Sequence, residues 1–105
     1  MARHAHATGT PPSLADVRRH AAAIREIVER HGAANPRVFG SVARGDAREG
    51  SDVDILVDNV RLSLLRLVRL EDELASLLGV SVDVVMSEEV PARSRPGLMA
   101  DVVPL

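Results

Sequence analysis

At 105 residues the chain has room for one core, and its 46% apolar content is almost entirely Ala, Val and Leu. A chain of this size buries roughly two-thirds of its unfolded surface. There is no Cys, Trp or Tyr, one Phe, and all 13 basic residues are Arg. This excludes disulfides, thiolate nucleophiles and thiolate zinc sites, lysine Schiff bases, a phosphate-loop lysine and an aromatic platform for stacked bases. The net charge of −2 lacks the broad positive footprint of a nucleic-acid binder. No apolar run approaches the ~18 residues of a membrane span, and Met1–Thr10 lacks the apolar stretch of a signal peptide. A cytoplasmic protein that binds neither nucleic acid nor membrane directly is the expectation.

Residues 1–12 are polar, carry Gly9 and end in Pro11-Pro12, which predicts a disordered tail. His4 and His6 on such a tail do not make a specific metal site. The ordered domain is expected over 13–105. Ser13 can cap a helix, with Asp16 as its acidic partner three residues on. Leu14, Val17, Ala21, Ile24 and Val28 then form one helical stripe, Glu26 and Arg30 an exposed pair, and Gly32 a stop at about His31. His20 and His31 lie off that stripe and read as solvated. A short strand over Arg37–Phe39 runs into Gly40-Ser41, followed by a helical turn over Val42–Ala47 and a loop through Gly50. Val53–Val57 reads as a second strand, ended by Asn59. A long helix follows from about Ser63 to Leu78, burying Leu67, Leu70, Leu74, Leu77 and Leu78, exposing an Arg69–Glu73 pair and stopping at Gly79. Val80–Met86 is a third strand. Pro91, Pro96 and Pro104 limit the remainder to a short helix around Gly97–Val103. This order predicts an α/β (α+β) layer structure with a three-stranded mixed sheet and helices packed against it.

The chemistry is concentrated in Val38–Val57. A strand turning through Gly-Ser into a helix exposes backbone N–H groups; Gly40 admits a phosphate close to the main chain, and Ser41 adds a hydroxyl. Asp52 and Asp54 are two apart on a strand and project from one face, about 6–7 Å between Cα atoms. Val53 and Ile55 point the other way, into the core. Like charges on one face repel, and a hard cation such as Mg²⁺ offsets that cost. Asp83 stands in an otherwise apolar strand, where a buried unpaired carboxylate is expensive. If that strand lies beside Val53–Val57, the three aspartates and nucleotide phosphates make a magnesium cage. Arg44 and Arg48 flank the corner: either can offset phosphate charge, or pair with Asp46 or Glu49. Ser51 is better placed to order the turn before Asp52 than to touch substrate.

Gly40-Ser41, ten residues, Asp52-x-Asp54 and a later strand Asp83 resemble the DNA polymerase beta-type nucleotidyltransferase superfamily. The stretch FGSVARGDAREGSDVDILV is closer still to the minimal nucleotidyltransferase (MNT) domain, whose members pair with HEPN-domain toxins. The resemblance covers about residues 13–90. It implies a catalytic and metal-binding role for Asp52, Asp54 and Asp83, and a phosphate corner at Gly40 and Ser41. It implies two Mg²⁺ ions, ATP as substrate, and AMP transfer to a hydroxyl of a HEPN RNase toxin, a tyrosine in characterised pairs, for which this protein is the antitoxin. Asp83 is the best candidate base, and self-association is left open. Two other functions fit: an antitoxin that neutralises by binding alone, and transfer to a small-molecule acceptor, although relatives of the latter kind usually carry an additional acceptor domain. The brief C-terminal segment, with Leu98, Met99, Val102 and Val103, can serve core packing or an interface.

Overall fold

The computed structural model describes residues 11–58 and 62–105; residues 1–10 of the expected tail, and Asn59 as the strand breaker, lie outside the described residues. Ser13 caps the first helix, its Oγ accepting from the Asp16 N–H, as its position predicts. The expected single helix is two: α1 (Leu14–Arg19) and α2 (Ala21–Arg30) meet at His20, whose φ of −102° and ψ of 12° interrupt the helix. The His20 ring bonds back to the Asp16 carbonyl at 2.9 Å, a local side-chain contact that competes with helical continuation. The apolar stripe survives the break, with Val17, Ile24 and Val28 all buried.

Strand β1 (Ala34–Phe39) starts earlier than the sequence suggests. Asn35 adopts a left-handed φ of +58°, and the β1–β2 register slips between Ala34 and Arg37, so the Asn-Pro pair is accommodated as a bulge rather than a loop. β1 runs directly into a short helix α3 (Gly40–Arg44) that ends at left-handed Gly45. Strand β2 (Val53–Asp58) follows, then helix α4 (Leu64–Leu78), capped by Ser63 and stopped by Gly79. Strand β3 (Val82–Met86) leads through two 3₁₀ turns into α5 (Arg95–Met99) and a two-residue strand β4 (Val103–Pro104).

The sheet therefore has four strands, in the order β3-β2-β1-β4, rather than three. β1 pairs antiparallel with β2 and β4, and β2 pairs parallel with β3, giving the expected mixed sheet. Val38, Val53, Ile55, Val57, Val82 and Val84 face one way and join Leu70 and Leu74 of α4 and Ile24 and Val28 of α2 in one hydrophobic core. Burial of such branched side chains contributes roughly 1.5–3 kcal/mol each and fixes the strand register, because a one-residue slip would turn every valine outward. Leu67, Leu77 and Leu78 pack against this core as expected. On the free edge of β3 the Val84 N–H donates to Glu71 Oε2 of α4 at 2.9 Å, which blunts that edge against further strand pairing.

Two expected surface pairs are replaced by a contact between helices. Glu73 takes Arg30 and His31 at the end of α2, so neither Arg69–Glu73 nor Glu26–Arg30 forms. His31 is correspondingly buried rather than solvated. At the end of β2, Asp58 accepts from Arg37 Nη2 at 2.8 Å, Asn35 Nδ2 at 3.0 Å and Ser87 Oγ at 2.7 Å, tying β1, β2 and the segment after β3. These donors hold its carboxyl well below the usual carboxylate range, Arg37 contributing most.

Candidate functional site

The face of the sheet opposite the core carries the polar residues. Register pairs Phe39 with Asp54 and Asp54 with Asp83, so one row crosses β1, β2 and β3 and sets two carboxylates side by side. Asp52 immediately precedes β2, two residues from Asp54, and is exposed. Alternation then carries Val53 and Ile55 into the core, each fully buried, which anchors the intervening carboxylate rigidly. The parallel β2–β3 pair is the element that brings Asp83 to the site across the length of α4.

Asp83 is exposed, so the cost of a buried unpaired carboxylate in this apolar strand is avoided. β3 is an edge strand whose even-numbered residues fill the core, and Asp83 falls on its open side. Burial is concentrated on Asp54 instead. Its carboxyl is pushed up to about 6, chiefly by burial, then by the charges of Asp83 and Asp52, with Arg44 acting in the opposite direction. Asp54 thus feels both other aspartates, although among the described residues no three carboxylates or imidazoles close on a common point. The donor set nevertheless suits a hard divalent ion: all three groups are carboxylates, and the mutual repulsion they impose on Asp54 is what a cation relieves.

Gly40 opens α3 with φ +75°, a left-handed conformation that disfavours any side chain. A Cβ placed there would overlap Asp54 Oδ2, so the glycine corner closes directly on the central carboxylate. Ser41 is the second residue of α3, partly exposed beside it. Arg44, in the last position of α3, donates from Nε to Asp46 at 3.3 Å, the alternative its flanking carboxylates allowed. It also donates from Nη1 to Asp101 at 3.4 Å, a partner 57 positions away. Sequence alone carries no signal for Asp101, which lies in a proline-punctuated segment and arrives only because β4 pairs with β1. Arg48 makes no comparable pair among the described residues; its N–H donates to Ser51 Oγ at 2.9 Å, and Ser51 orders the turn before Asp52 as expected. A cavity of about 320 Å³ beneath α1 is lined by none of the candidate site residues, whereas a second of about 370 Å³ beside α3 includes Arg44.

A mixed antiparallel and parallel sheet, a glycine-serine corner and carboxylates aligned on adjoining strands are compatible with nucleotidyl transfer. The chain belongs to the nucleotidyltransferase domain family, whose model matches residues 21–101, and it is a nucleotidyltransferase. Among curated relatives it is 44% identical over 80 residues to the protein adenylyltransferase MntA of Thermococcus cleftensis, covering 75% of this chain and 81% of that protein. Among solved structures, one assigned as a minimal nucleotidyltransferase superposes with a TM-score of 0.77 at 42% identity, covering 92% of this chain and all of the other. The MNT antitoxin complex with a tri-AMPylated HEPN toxin from Shewanella oneidensis gives a TM-score of 0.64 at 19% identity, over 83% of this chain and 69% of that one, a likeness of fold.

Proposed function

We propose that the protein is a cytoplasmic antitoxin that transfers AMP from ATP to a hydroxyl, a tyrosine in the first instance, of a HEPN RNase toxin and thereby silences it. The observation that carries this reading is the row in which Asp54 stands opposite Asp83, with Asp52 two residues away and Gly40 closed against the Asp54 carboxylate. Kinship with the Thermococcus adenylyltransferase supports a protein acceptor.

Asp52, Asp54 and Asp83 would hold Mg²⁺, which when bound offsets triphosphate charge and lowers the pKa of an attacking hydroxyl. The α3 corner receives the terminal phosphates: Gly40 has no side chain to keep them off the main chain, Ser41 donates its hydroxyl, and Arg44 supplies a guanidinium. The acceptor oxygen forms a bond to the α-phosphorus as the bond to the bridging oxygen breaks in line, and pyrophosphate leaves with that electron pair. Asp83, exposed on the open face, takes the acceptor proton. A tyrosine hydroxyl, with a free pKa near 10, needs only a modest shift to react.

Co-expression with the toxin tests the reading. Replacing Asp52 and Asp54 by Asn should abolish protection of growth while the two proteins still co-purify. Intact protection by that variant would refute transfer and establish neutralisation by binding.

A further inference from the structure

The C-terminal segment reaches the phosphate corner through a single carboxylate. β4 pairs with β1 at Val38↔Val103 and Arg37↔Pro104, one residue short of Phe39 and the Gly40 turn. That pairing, together with the Leu105 N–H bond to the Pro36 carbonyl, fixes the end of the chain beside α3. Asp101, two residues before β4, is thereby delivered to Arg44 Nη1, while Asp46 holds Nε on the other side. The guanidinium is gripped at two of its three nitrogens, and Nη2 makes no such contact among the described residues. Arg44 is otherwise a long, half-exposed side chain at the end of a one-turn helix, with many rotamers to lose when it meets a ligand.

We infer that Asp101 is a positioning residue for nucleotide binding: with Asp46 it holds the Arg44 guanidinium at the α3 corner and leaves Nη2 for the triphosphate. This rests on the reading of Arg44 as a phosphate-binding residue. Asp101 touches neither the nucleotide nor the reacting atoms; it removes part of the ordering cost that Arg44 would otherwise incur on binding. Asp101 therefore serves the nucleotide site, although no sequence motif connects it to Arg44.

The test is steady-state AMP transfer onto the toxin with ATP varied. Asp101→Asn should raise the ATP KM about two- to fivefold, the range an exposed ion pair can support. The kcat should be unchanged and the melting temperature close to wild type. Asp101→Glu should restore most of the KM, and in an Arg44→Ala background Asp101→Asn should have no further effect. If Arg44→Ala raises KM and Asp101→Asn does not, the positioning role is wrong and Arg44 keeps its place. If Arg44→Ala leaves KM unchanged, the reading of Arg44 itself falls, and the inference with it. A loss of kcat and melting temperature in Asp101→Asn that persists without Arg44 would mark a structural role and overturn the inference.

Discussion

Replacing Asp54 by Asn should make the metal-free protein more stable while destroying its activity. The Asp54 carboxyl is raised from 3.8 to about 6 by burial and by Asp83 and Asp52. A native pKa above the unfolded one means that the folded state holds the proton more tightly. The stability cost of ionisation is therefore absent below about 3.8, grows as pH rises, and is complete above about 6. The two-unit shift corresponds to an upper limit of about 3 kcal/mol, and solvent screening of a half-buried group reduces this to about 1–2 kcal/mol. No hydrogen bond to Asp54 is lost in the exchange among the described residues. At pH 8 Asp54→Asn should then melt on the order of 5–10 °C higher than wild type, with the gain vanishing near pH 4. Adding Mg²⁺ should raise the wild-type melting temperature and leave the variant unmoved. Thermal melts across pH, with and without Mg²⁺, provide the measurement. A variant that melts below wild type at pH 8, or a difference independent of pH, would refute the electrostatic account.

Gly40→Ala meets both a positive φ and the Asp54 carboxylate, so transfer should fall at least about 100-fold alongside a stability loss of about 1–3 kcal/mol, read from kcat and urea midpoints. Asp58→Asn leaves the buried Arg37 guanidinium without its counter-charge and should cost about 2 kcal/mol at pH 7, discounted for the solvent exposure of Asp58. Because the Asp58 carboxyl is held below its ordinary value, this stabilisation is present above about pH 4 and is lost on further acidification, so wild type and variant should converge in acid. Ser63→Ala removes the cap that accepts from the Arg66 N–H and should cost about 1 kcal/mol in chemical denaturation, without altering the ATP KM.

The parts of the fold legible in the sequence are those encoded by local pattern. Ser13 and Ser63 announce helix starts, Gly79 a stop, and the Val53-Asp54-Ile55 alternation alone assigns one face to the core and sets Asp54 on the other. What stays hidden depends on partners distant in sequence. The helix break at His20 comes just before Ala21-Ala22-Ala23, with no Gly or Pro beside it, and coincides with the ring's bond to Asp16. Glu73 abandons the nearby Arg69 because α2 presents Arg30 and His31, two donors for one. β4 is two residues of a segment that reads as irregular, and it exists only because β1 offers an edge. The same limit holds at the site. Gly40, Ser41, Asp52 and Asp54 lie within one contiguous motif, whereas the exposure of Asp83 depends on β3 being an edge strand, and the Arg44–Asp101 contact depends on β4. Strand alternation and the apolar run around Asp83 single out the carboxylates in the sequence; only the structure shows that Asp54 is the half-buried one and that Asp83 lies exposed.

The most direct measurement is the intact mass of the HEPN toxin after incubation with this protein, ATP and Mg²⁺. The account predicts a gain of one or more whole AMP units with wild-type protein and none with Asp54→Asn, although both form the complex. An unmodified toxin in a complex with the wild-type protein, or transfer that persists in Asp54→Asn, would contradict it.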